Sequence, residues 1–363
     1  MKIGIIGAGQ LGLMLGYAAK SLNLECIFLD PNKNSPACDV GEVLHYQFDD
    51  LKGIEQLFSL TDIITYEFEN VPVKSIKILD SNYVYPGTIA LEIAQDRLQE
   101  KKLFELLRIP IAEYKEINSH SDLLHAASQL GYPFILKTRR FGYDGKGQVL
   151  LEKRDDIDNA WIEMKDQLLI AEKKVNFDYE ISAIGVRSVS GETAFYPLTK
   201  NTHKNGILRT SETSLENQSI TKKAFKFHSK LMSKLNYVGV LALELFIKGN
   251  KVIANEFAPR VHNSGHWTIE GSKTSQFENH LRAILNLKLG DTSSKEYVAM
   301  ENLIGSIPSE IKQLNKDFFI HDYGKQERPN RKLGHISVIG RTQTERDSKL
   351  KIIQEILSNT TTI

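Results

Sequence analysis

The sequence predicts an α/β and α+β protein with an N-terminal Rossmann-like domain built on a parallel sheet, a small lid-like domain, and a C-terminal domain with a mixed sheet. The first hundred or so residues alternate short apolar strands with amphipathic helices, which is typical of a parallel sheet covered on both faces. Residues 111–172 have the pattern of a compact α+β unit. Beyond Val175 the strands alternate apolar and polar positions, as in an antiparallel sheet.

Chain length supports this division. A chain of 363 residues is too long for one ordinary core, and its 41% apolar content is that of a globular protein. We expect domains at residues 1–95, 96–172 and 173–363, with the middle segment beginning in a connecting helix.

The N-terminal elements follow from apolar runs and from apolar residues spaced three and four apart. Strands are expected at residues 2–6, 26–29 and 63–66, and helices at residues 11–20 and 51–60. Pro86 and Gly87 then break the alternation. A single long helix over residues 91–107 is expected to connect this domain to the next.

The later elements are expected around two hairpins. In the lid, helices near residues 123–130 and 157–165 accompany a buried strand at residues 134–136. The C-terminal segment should hold a helix near residues 224–235, a terminal helix, and strands at residues 179–186, 238–247, 252–257 and 334–339. The sequence Lys-Gly-Asn-Lys at residues 248–251 is a good hairpin turn between two of these strands.

Charge and cysteine content exclude several classes of protein. The 46 basic and 45 acidic residues leave a net charge of +1, whereas proteins that coat nucleic acid show a basic excess. Cys26 and Cys38 are too few for a disulfide framework and predict a reducing, cytoplasmic setting. Every apolar window is shorter than the roughly 20 residues of a membrane helix. We therefore expect neither a nucleic-acid partner nor a membrane.

The most informative motif is PFILKTRRFGYDGKG at residues 133–147. A strand ends in Lys137, and the glycines that follow would let backbone N–H groups approach an anion closely. Arg139, Arg140 and Lys146 add positive charge suited to a polyphosphate. A basic β-hairpin with a glycine turn would explain the same residues equally well.

The glycine motif GAGQLG at residues 7–12 follows a strand and opens a helix, and Asp30 ends the next strand. This arrangement matches a dinucleotide-binding turn with its ribose-binding acid. The same turn could instead direct a helix N-terminus at one phosphate of another ligand. The motif alone leaves both interpretations open.

Two acids stand in the arms of the predicted C-terminal hairpin. Glu244 and Glu256 each lie among apolar neighbours, where a carboxylate is costly unless it is paired or binds a cation. If the register brings them together with Asn255, they form an all-oxygen site suited to Mg²⁺. A pair of structural acids bonded to Arg or Lys is the alternative. Arg260 and His262 follow closely and add a cation and a proton carrier.

Two further segments carry weaker signals. Residues 171–180 could read an adenine edge through a strand end, with Glu180 accepting ribose hydroxyls. His203 and Arg209 could contribute from a loop before the hairpin, although a solvated loop is an equally good interpretation.

The order of these parts resembles the ATP-grasp superfamily and, within it, the 5-(carboxyamino)imidazole ribonucleotide synthase family. The resemblance runs nearly end to end. Its most specific motifs are GAGQLG (7–12), TYEFENVP (65–72), GYDGKGQ (142–148), NEFAPRVHNSGH (255–266), YGK (323–325) and RKLGH (331–335). It implies an ATP-grasp fold in which the Rossmann-like first domain binds substrate, the second is the lid and the third holds the metal.

The resemblance also implies site residues. ATP would be bound by Arg97, Lys137, Gly142, Tyr143, Asp144, Gly145, Lys146, Gly147, Gln148, Glu172, Lys173, Lys174, Val175, Glu180, His203, Asn255 and Glu256. The ribonucleotide would be bound by Gln10, Leu11, Glu67, Glu69, Tyr143, Arg260, His262, Asn263, Lys325, Arg331 and Lys332. Mg²⁺, or alternatively Mn²⁺, would be bound by Glu244, Glu256 and Asn255, and the catalytic groups would be Arg260, His262, Lys137 and Tyr143.

The implied activity is the ATP-dependent carboxylation of aminoimidazole ribonucleotide with bicarbonate, through carboxyphosphate, in purine biosynthesis, by a homodimer. Its small-molecule partners would be ATP, bicarbonate and aminoimidazole ribonucleotide. One alternative is another ATP-grasp ligase. The other is a nicotinamide-dependent oxidoreductase built on residues 7–12 and Asp30, which would leave the lid loop and the paired acids unexplained.

Overall fold

The computed structural model describes residues 1–79, 83–142, 145–213, 217–294 and 296–360. Its three sheets confirm the predicted fold class: a parallel sheet in the N-terminal segment, a small sheet in the middle segment and a large sheet in the C-terminal segment. No helix in the described ranges is long and apolar enough to cross a membrane.

The N-terminal segment forms a four-stranded parallel sheet in the order β3-β2-β1-β4. In chain order its elements are β1 (Lys2–Ile6), α1 (Gln10–Ser21), β2 (Glu25–Leu29), β3 (Glu42–Leu44), α2 (Leu51–Leu60), β4 (Ile63–Tyr66), α3 (Val73–Ile76) and α4 (Thr88–Ala94). Helix α5 (Arg97–Leu106) follows and begins the middle segment. A 3-10 turn at Pro36–Asp39 lies between β2 and β3. Strands β1 and β4 are almost wholly buried, as expected for a sheet covered on both faces.

The single helix expected over residues 91–107 is wrong. The chain forms two helices, α4 and α5, separated at Gln95 and Asp96. Asp96 caps α5, because its side chain accepts a hydrogen bond from the backbone N–H of Leu98 at 3.0 Å. An Asp followed by a helical pattern is a start signal, and the apolar periodicity on both sides of it concealed the break.

The lid segment is a four-stranded antiparallel sheet in the order β5-β8-β6-β7. Its elements are β5 (Tyr114–Ile117), α6 (His120–Leu130), β6 (Phe134–Thr138), β7 (Gln148–Leu151), α7 (Asp156–Met164) and β8 (Leu169–Lys173). Apolar side chains of α6, α7 and the sheet form a core of their own. The glycine-rich motif connects β6 to β7 as a hairpin, so its ends are anchored in this sheet.

The C-terminal segment builds a nine-stranded sheet in the order β14-β13-β9-β11-β12-β15-β17-β16, with β10 paired to β9. Its elements are β9 (Tyr179–Arg187), β10 (Thr193–Phe195), β11 (Thr199–Lys204), β12 (Ile207–Thr213), α8 (Gln218–Lys234), β13 (Gly239–Lys248), β14 (Lys251–Ala258), α9 (Thr268–Gly271), α10 (Gln276–Ile284), β15 (Tyr297–Ile304), α11 (Ser309–Lys312), β16 (Phe318–Asp322), β17 (Lys332–Gly340) and α12 (Gln343–Thr360). A 3-10 turn at Asn263–Gly265 follows β14.

Two details of this sheet differ from the sequence-based expectation. Its named strand pairs in the described ranges are antiparallel, where a mixed sheet was expected. His203 and Arg209 lie in the paired strands β11 and β12 and not in a loop. Their polar flanks suggested solvent, but alternate residues of these strands face the interior.

The first and third segments share a core. Helix α1 packs against α10, and apolar residues of β1, α1, β13 and α10 form one continuous cluster. A buried hydrogen bond of 2.8 Å joins Thr65 Oγ1 on β4 to His280 Nε2 on α10. This shared core fixes the carboxyl end of the parallel sheet against the edge hairpin β13–β14.

Candidate active site

Two adjoining cavities lie between the three sheets. One, of about 410 Å³, is bounded by the glycine turn after β1, the end of β4 and the segment after β14. The other, of about 310 Å³, lies between the lid sheet and the hairpin β13–β14. The residues common to both walls are Arg97, His203, Gly206, Glu244 and Glu256. A ligand in either cavity would therefore meet the same two acids.

The structure brings most of the predicted site residues to these walls. The smaller cavity is lined by the predicted residues Arg97, Lys137, Gly145, Lys146, Gln148, Glu172, Lys173, Lys174, Val175, Glu180, His203, Glu244, Asn255 and Glu256. The larger is lined by the predicted residues Gln10, Leu11, Glu67, Glu69, Arg97, Gly142, His203, Glu244, Glu256, Arg260, His262, Asn263 and Lys332. The predicted nucleotide and substrate residues thus line neighbouring cavities that share part of their walls.

A few predicted residues lie elsewhere. Arg331 lines neither cavity, and its guanidinium donates to the backbone oxygen of Gln326 at 3.2 Å, so the structure does not bring it to the site. Gly147 is also off both walls. Lys325 contacts the larger cavity indirectly, through a hydrogen bond to the side chain of Gln10. Tyr143 and Asp144 fall outside the described residues.

A buried charge cluster stands at the lid side of the smaller cavity. Lys137 Nζ at the end of β6 lies 3.1 Å from the Glu172 carboxylate on β8, and Lys101 Nζ on α5 lies 3.5 Å from the same oxygen. Burial alone would raise the pKa of Glu172, but the two ammonium groups outweigh it and lower that pKa to about 2. Burial and the neighbouring cations Lys101 and Arg97 lower the pKa of Lys137, against the opposing effect of Glu172.

The two predicted metal acids face each other. Glu244 on β13 pairs directly with Glu256 on β14, and a β-bulge leaves Asn255 without a partner in the ladder. Bulges commonly redirect side chains next to active sites. Each acid is held by a cation or a histidine: Arg97 Nη1 lies 2.8 Å from Glu256, and His262 Nε2 lies 3.1 Å from Glu244.

This donor set fits a hard cation. Two carboxylates and one amide give oxygen ligands only, which suits Mg²⁺. The described residues contain no cluster of three or more His, Cys, Asp and Glu that could hold a metal alone. Mg²⁺ ordinarily takes one or two carboxylates and completes its shell with water and substrate phosphates, so a two-acid site beside a nucleotide cavity meets its needs.

A third acid, Glu180, lines the smaller cavity, and its partner His203 lines both cavities. Glu180 on β9 and His203 on β11 form an ion pair, and both side chains are about one-fifth exposed. Burial lowers the pKa of His203, but the adjoining Glu180 carboxylate reverses the effect and the net change is upward.

The glycine turn is occupied by an acid of the chain itself. The backbone N–H groups of Gly9 and Gly12 each donate to the Glu67 carboxylate at 2.5 Å. Asp30 accepts from the N–H groups of Ala8 at 2.9 Å and Asn32 at 2.8 Å, so both of its oxygens are engaged. A dinucleotide pyrophosphate would need the amides that Glu67 takes. The geometry therefore weighs against the oxidoreductase interpretation.

Arg260 and His262 line the larger cavity beside the acid pair. Arg260 Nε is hydrogen-bonded to the Glu69 carboxylate. Burial would raise the pKa of Glu69, but the guanidinium lowers it to about 2. His262 Nδ1 lies 2.8 Å from Ser264 Oγ, which orients the ring with Nε2 toward Glu244. These groups can hold an anion and accept or supply a proton beside it.

Sequence reasoning missed several residues that support the site. Glu100 and Lys101 on α5 contact the strand that carries Glu256. Gln276 brackets His262, accepting its N–H at 3.0 Å and donating to its carbonyl oxygen at 2.7 Å. The available signal was a charged residue on the apolar face of a predicted helix. Glu100 and Lys101 both show this signal, but it does not identify the residues that they contact.

Three family models match the chain in succession. They describe a ribonucleotide synthetase preATP-grasp domain (residues 1–95), an ATP-grasp domain (residues 102–277) and a phosphoribosylaminoimidazole carboxylase C-terminal domain (residues 298–349). The N5-carboxyaminoimidazole ribonucleotide synthase of Pseudomonas aeruginosa is 43% identical over 340 residues, covering 93% of this chain and 94% of the relative. That of Bacillus subtilis is 38% identical, covering 94% and 92%.

Solved structures give the same result. The N5-carboxyaminoimidazole ribonucleotide synthetase of Thermus thermophilus superimposes with a TM-score of 0.93 at 42% identity, over 98% of both chains. The N5-carboxyaminoimidazole synthase of Aspergillus clavatus, solved with ADP and 5-aminoimidazole ribonucleotide, gives 0.91 at 29% identity, over 99% of this chain and 98% of its own.

Proposed function

The chain belongs to the N5-carboxyaminoimidazole ribonucleotide synthase family, and we propose that it catalyses the reaction in that name. ATP and bicarbonate would carboxylate 5-aminoimidazole ribonucleotide to N5-carboxyaminoimidazole ribonucleotide, releasing ADP and phosphate, in de novo purine biosynthesis. The observation that carries the proposal is the shared wall: one pair of acids, Glu244 and Glu256, faces both the cavity between lid and hairpin and the cavity at the glycine turn.

We assign ATP to the smaller cavity. Its adenine would lie against residues 172–175, its ribose beside Glu180 and His203, and its phosphates beside Lys137, Arg97 and the loop after β6. Mg²⁺, or Mn²⁺, would be held by Glu244, Glu256 and Asn255 and would offset the charge of the phosphates as a Lewis acid. The buried ammonium of Lys137 would act on the same charge from the lid side.

We assign the ribonucleotide to the larger cavity. Gln10, Leu11, Glu67, Glu69, Asn263 and Lys332 line it, and Lys325 reaches it through Gln10. The Lys325 and Lys332 side chains would pair with its phosphate, because they are the cations on the side of the glycine turn. The role of Tyr143 rests on the family resemblance, as does that of Arg331.

The chemistry follows from these positions. An oxygen of bicarbonate attacks the γ-phosphorus, the bond to the ADP oxygen breaks, and carboxyphosphate results. Arg260 lines the cavity that both acids face and would hold bicarbonate and then the mixed anhydride. The exocyclic amine of the ribonucleotide then bonds to the carboxyl carbon as phosphate leaves. Its proton passes to His262 or to the departing phosphate.

The deciding experiment is ADP release by the purified chain with Mg-ATP and bicarbonate, with and without 5-aminoimidazole ribonucleotide. We expect strict stimulation by the ribonucleotide and formation of the carboxylated product. Stimulation by another acceptor, such as glycinamide ribonucleotide with formate, would assign the chain to a different ATP-grasp ligase. A fluorescence titration with NADH and NADPH tests the oxidoreductase alternative, and tight binding of either would contradict the proposal.

We also propose the finer organisation. The domain boundaries at residues 1–95, 96–172 and 173–363 are supported by the separate sheets found in those segments. A reducing, cytoplasmic setting is supported by the two free cysteines. A homodimer is supported by the family resemblance alone, and light scattering behind a sizing column tests it.

A further inference from the structure

The strand that carries Asn255 and Glu256 is paired with a strand on one side only. Strand β14 pairs with β13 and lies at the edge of the nine-stranded sheet, and on its outer side a single bridge joins Ala254 to Ile111. Its bulge also removes Asn255 from the ladder with β13. Backbone N–H and C=O groups in a buried edge must be paired by something other than a strand.

Helix α5 supplies two of those partners with buried polar side chains. Lys101 Nζ donates to the carbonyl oxygen of Asn255 at 2.5 Å. The Glu100 carboxylate accepts the N–H of Phe257 at 2.7 Å. The two helix residues thus pair the backbone on both sides of Glu256, the acid between them.

The same helix reaches Glu256 itself and the adenine side of the cavity. One turn before Lys101, Arg97 holds the Glu256 carboxylate at 2.8 Å. Lys101 also lies 3.5 Å from the carboxylate of Glu172, at the start of the segment assigned to adenine. The Lys101 ammonium therefore contacts both Asn255 and Glu172, which line the nucleotide cavity. Lys101 itself lines neither cavity, so it would act on a ligand only through these residues.

Retaining these groups in the interior is costly. Glu100 is 2% exposed and Lys101 is 1% exposed. Buried ion pairs such as Lys101 with Glu172 are often no more stabilising than apolar side chains of the same volume. A purely structural helix could fill this space with leucine or methionine, so the buried polar groups of Glu100 and Lys101 point to a task that apolar packing cannot perform.

We propose that Glu100 and Lys101 are positioning residues for the metal-bound nucleotide. They set the backbone of residues 255–257, and Lys101 fixes that strand relative to Glu172, so that the acid pair and the adenine segment keep one spacing. The inference rests on the proposed function only where it assigns Asn255 and Glu256 to the metal and the phosphates.

The test compares Lys101→Met with Lys102→Met, a matched change at the exposed neighbouring lysine. Calorimetric titration with ADP is performed once with Mg²⁺ and once with EDTA. We expect Lys101→Met to weaken binding of Mg-ADP about 10- to 100-fold, the range seen when a partner that holds a metal ligand is removed. Binding of metal-free ADP should change much less, and Lys102→Met should match the wild type in both titrations.

A merely structural role would lower the unfolding temperature of Lys101→Met but leave the ratio of the two affinities at its wild-type value, and that result would overturn the proposal. If Lys101→Met does not fold, Glu100→Gln and Glu100→Leu decide instead. The glutamine keeps an acceptor for Phe257 and should preserve the ratio, whereas the leucine should reduce it. If Glu100→Gln and Glu100→Leu show the same ratio of ADP affinity with Mg²⁺ to ADP affinity with EDTA, the positioning role is also rejected.

The titrations also separate this inference from the proposed function. They measure the affinity for nucleotide and metal, and they need neither the ribonucleotide nor catalytic turnover. A wild-type chain that fails to carboxylate 5-aminoimidazole ribonucleotide but binds Mg-ADP would refute the proposed activity and leave the test of Glu100 and Lys101 intact.

Discussion

At the scale of single residues, the site balances its charges internally. Four of the acids assigned to a ligand already have a cationic or histidine partner within the chain. The pairs are Arg97 with Glu256, His262 with Glu244, His203 with Glu180 and Arg260 with Glu69. When a metal, nucleotide or substrate binds, these acids would therefore exchange one charged partner for another. An isolated buried charge is costly, and the internal pairs avoid it before the ligand arrives.

The first prediction concerns the metal acid on β14. Glu256→Gln should reduce ATP turnover by more than about 100-fold, because losing even a partner of a metal ligand costs about 10- to 100-fold in affinity or activity. The side chain is 41% exposed, so folding should lose less than about 1 kcal/mol. Steady-state kinetics and urea unfolding measure the two effects, with Glu163→Gln on the exposed face of α7 as control. Equal loss of activity and fold would show that Glu256 is structural.

The second prediction concerns Lys325. Burial lowers its pKa to about 8; Glu67 opposes this shift, and Arg331 and Lys332 add to it. Only the protonated amine can pair with a phosphate. As pH rises through about 8, the KM for the ribonucleotide should therefore rise, while below that pH it should be flat.

Variants of Lys325 give the contrast. Lys325→Ala should raise this KM about 10- to 100-fold at neutral pH, the value of one charged hydrogen bond, and should remove the pH dependence. Lys325→Arg stays charged and should keep a low KM in alkaline buffer. The KM for ATP is the internal control and should be unchanged in both variants. An unaltered ribonucleotide KM in Lys325→Ala would remove Lys325 from the site.

Sequence reasoning at this scale recovered residues that carry a chemical signature and missed residues that act on others. Glu244 and Glu256 stood out because acids among apolar neighbours require an explanation, and Arg260 and His262 because they follow the second acid closely. Lys101 did not, because its partner Asn255 is 154 positions away in the sequence and only the fold brings them together. Arg331 was included because it belongs to the RKLGH motif of the resemblance, and its role stays a prediction.

At the scale of elements, periodicity predicted strands and helices well and their ends less well. Strand β1 and helix α2 have the expected bounds, because Asp50 caps α2 and apolar runs define β1. The break between α4 and α5 was missed, and it matters because α5 begins at Arg97. The start of α5 also depends on a tertiary contact, because the Asp96 carboxylate that caps α5 is paired with Arg139 of the lid at 2.6 Å.

The third prediction belongs to the glycine-rich hairpin between β6 and β7. Gly147 has a φ of +70°, and a Cβ there would lie 2.6 Å from Thr138 Oγ1. Gly147→Ala should therefore distort the turn and raise the KM for ATP several-fold. Gly249→Ala is the matched control, because Gly249 has a φ of +55° with nothing within 4 Å of its Cβ position. Both variants carry left-handed strain of roughly 1 kcal/mol, so a normal ATP KM in Gly147→Ala would show that the turn does not serve the nucleotide.

At the scale of the whole molecule, the site exists only because the first and third segments are locked together. The glycine turn, the end of β4 and the segment after β14 would not adjoin without the core shared by α1 and α10. Pattern reasoning predicted the segments but could not predict this docking, since nothing in one apolar face specifies which other face will cover it.

The final prediction tests that docking through His280. Its Nδ1 accepts from the N–H of Val240 at 3.1 Å and its Nε2 lies 2.8 Å from Thr65 Oγ1, so the neutral ring bridges the two sheets. Burial lowers its pKa from 6.5 to about 4. Between pH 4 and pH 6.5 the unfolded chain binds more protons than the folded chain. The contribution of neutral His280 to the free energy of unfolding is therefore fully present above about pH 6.5 and is lost as pH falls toward 4.

Urea unfolding at pH 7 and pH 5 measures the effect. His280→Gln can keep both hydrogen bonds but cannot titrate, so its loss of stability between those pH values should be smaller than that of the wild type by about 2 kcal/mol, at 1.36 kcal/mol per unit of pH below 6.5. His125→Gln, an exposed change on α6, should lose as much as the wild type. An equal loss of stability in all three proteins would mean that His280 takes up a proton without separating the two sheets. The loss of stability in acid would then have to arise from other buried histidines, such as His228.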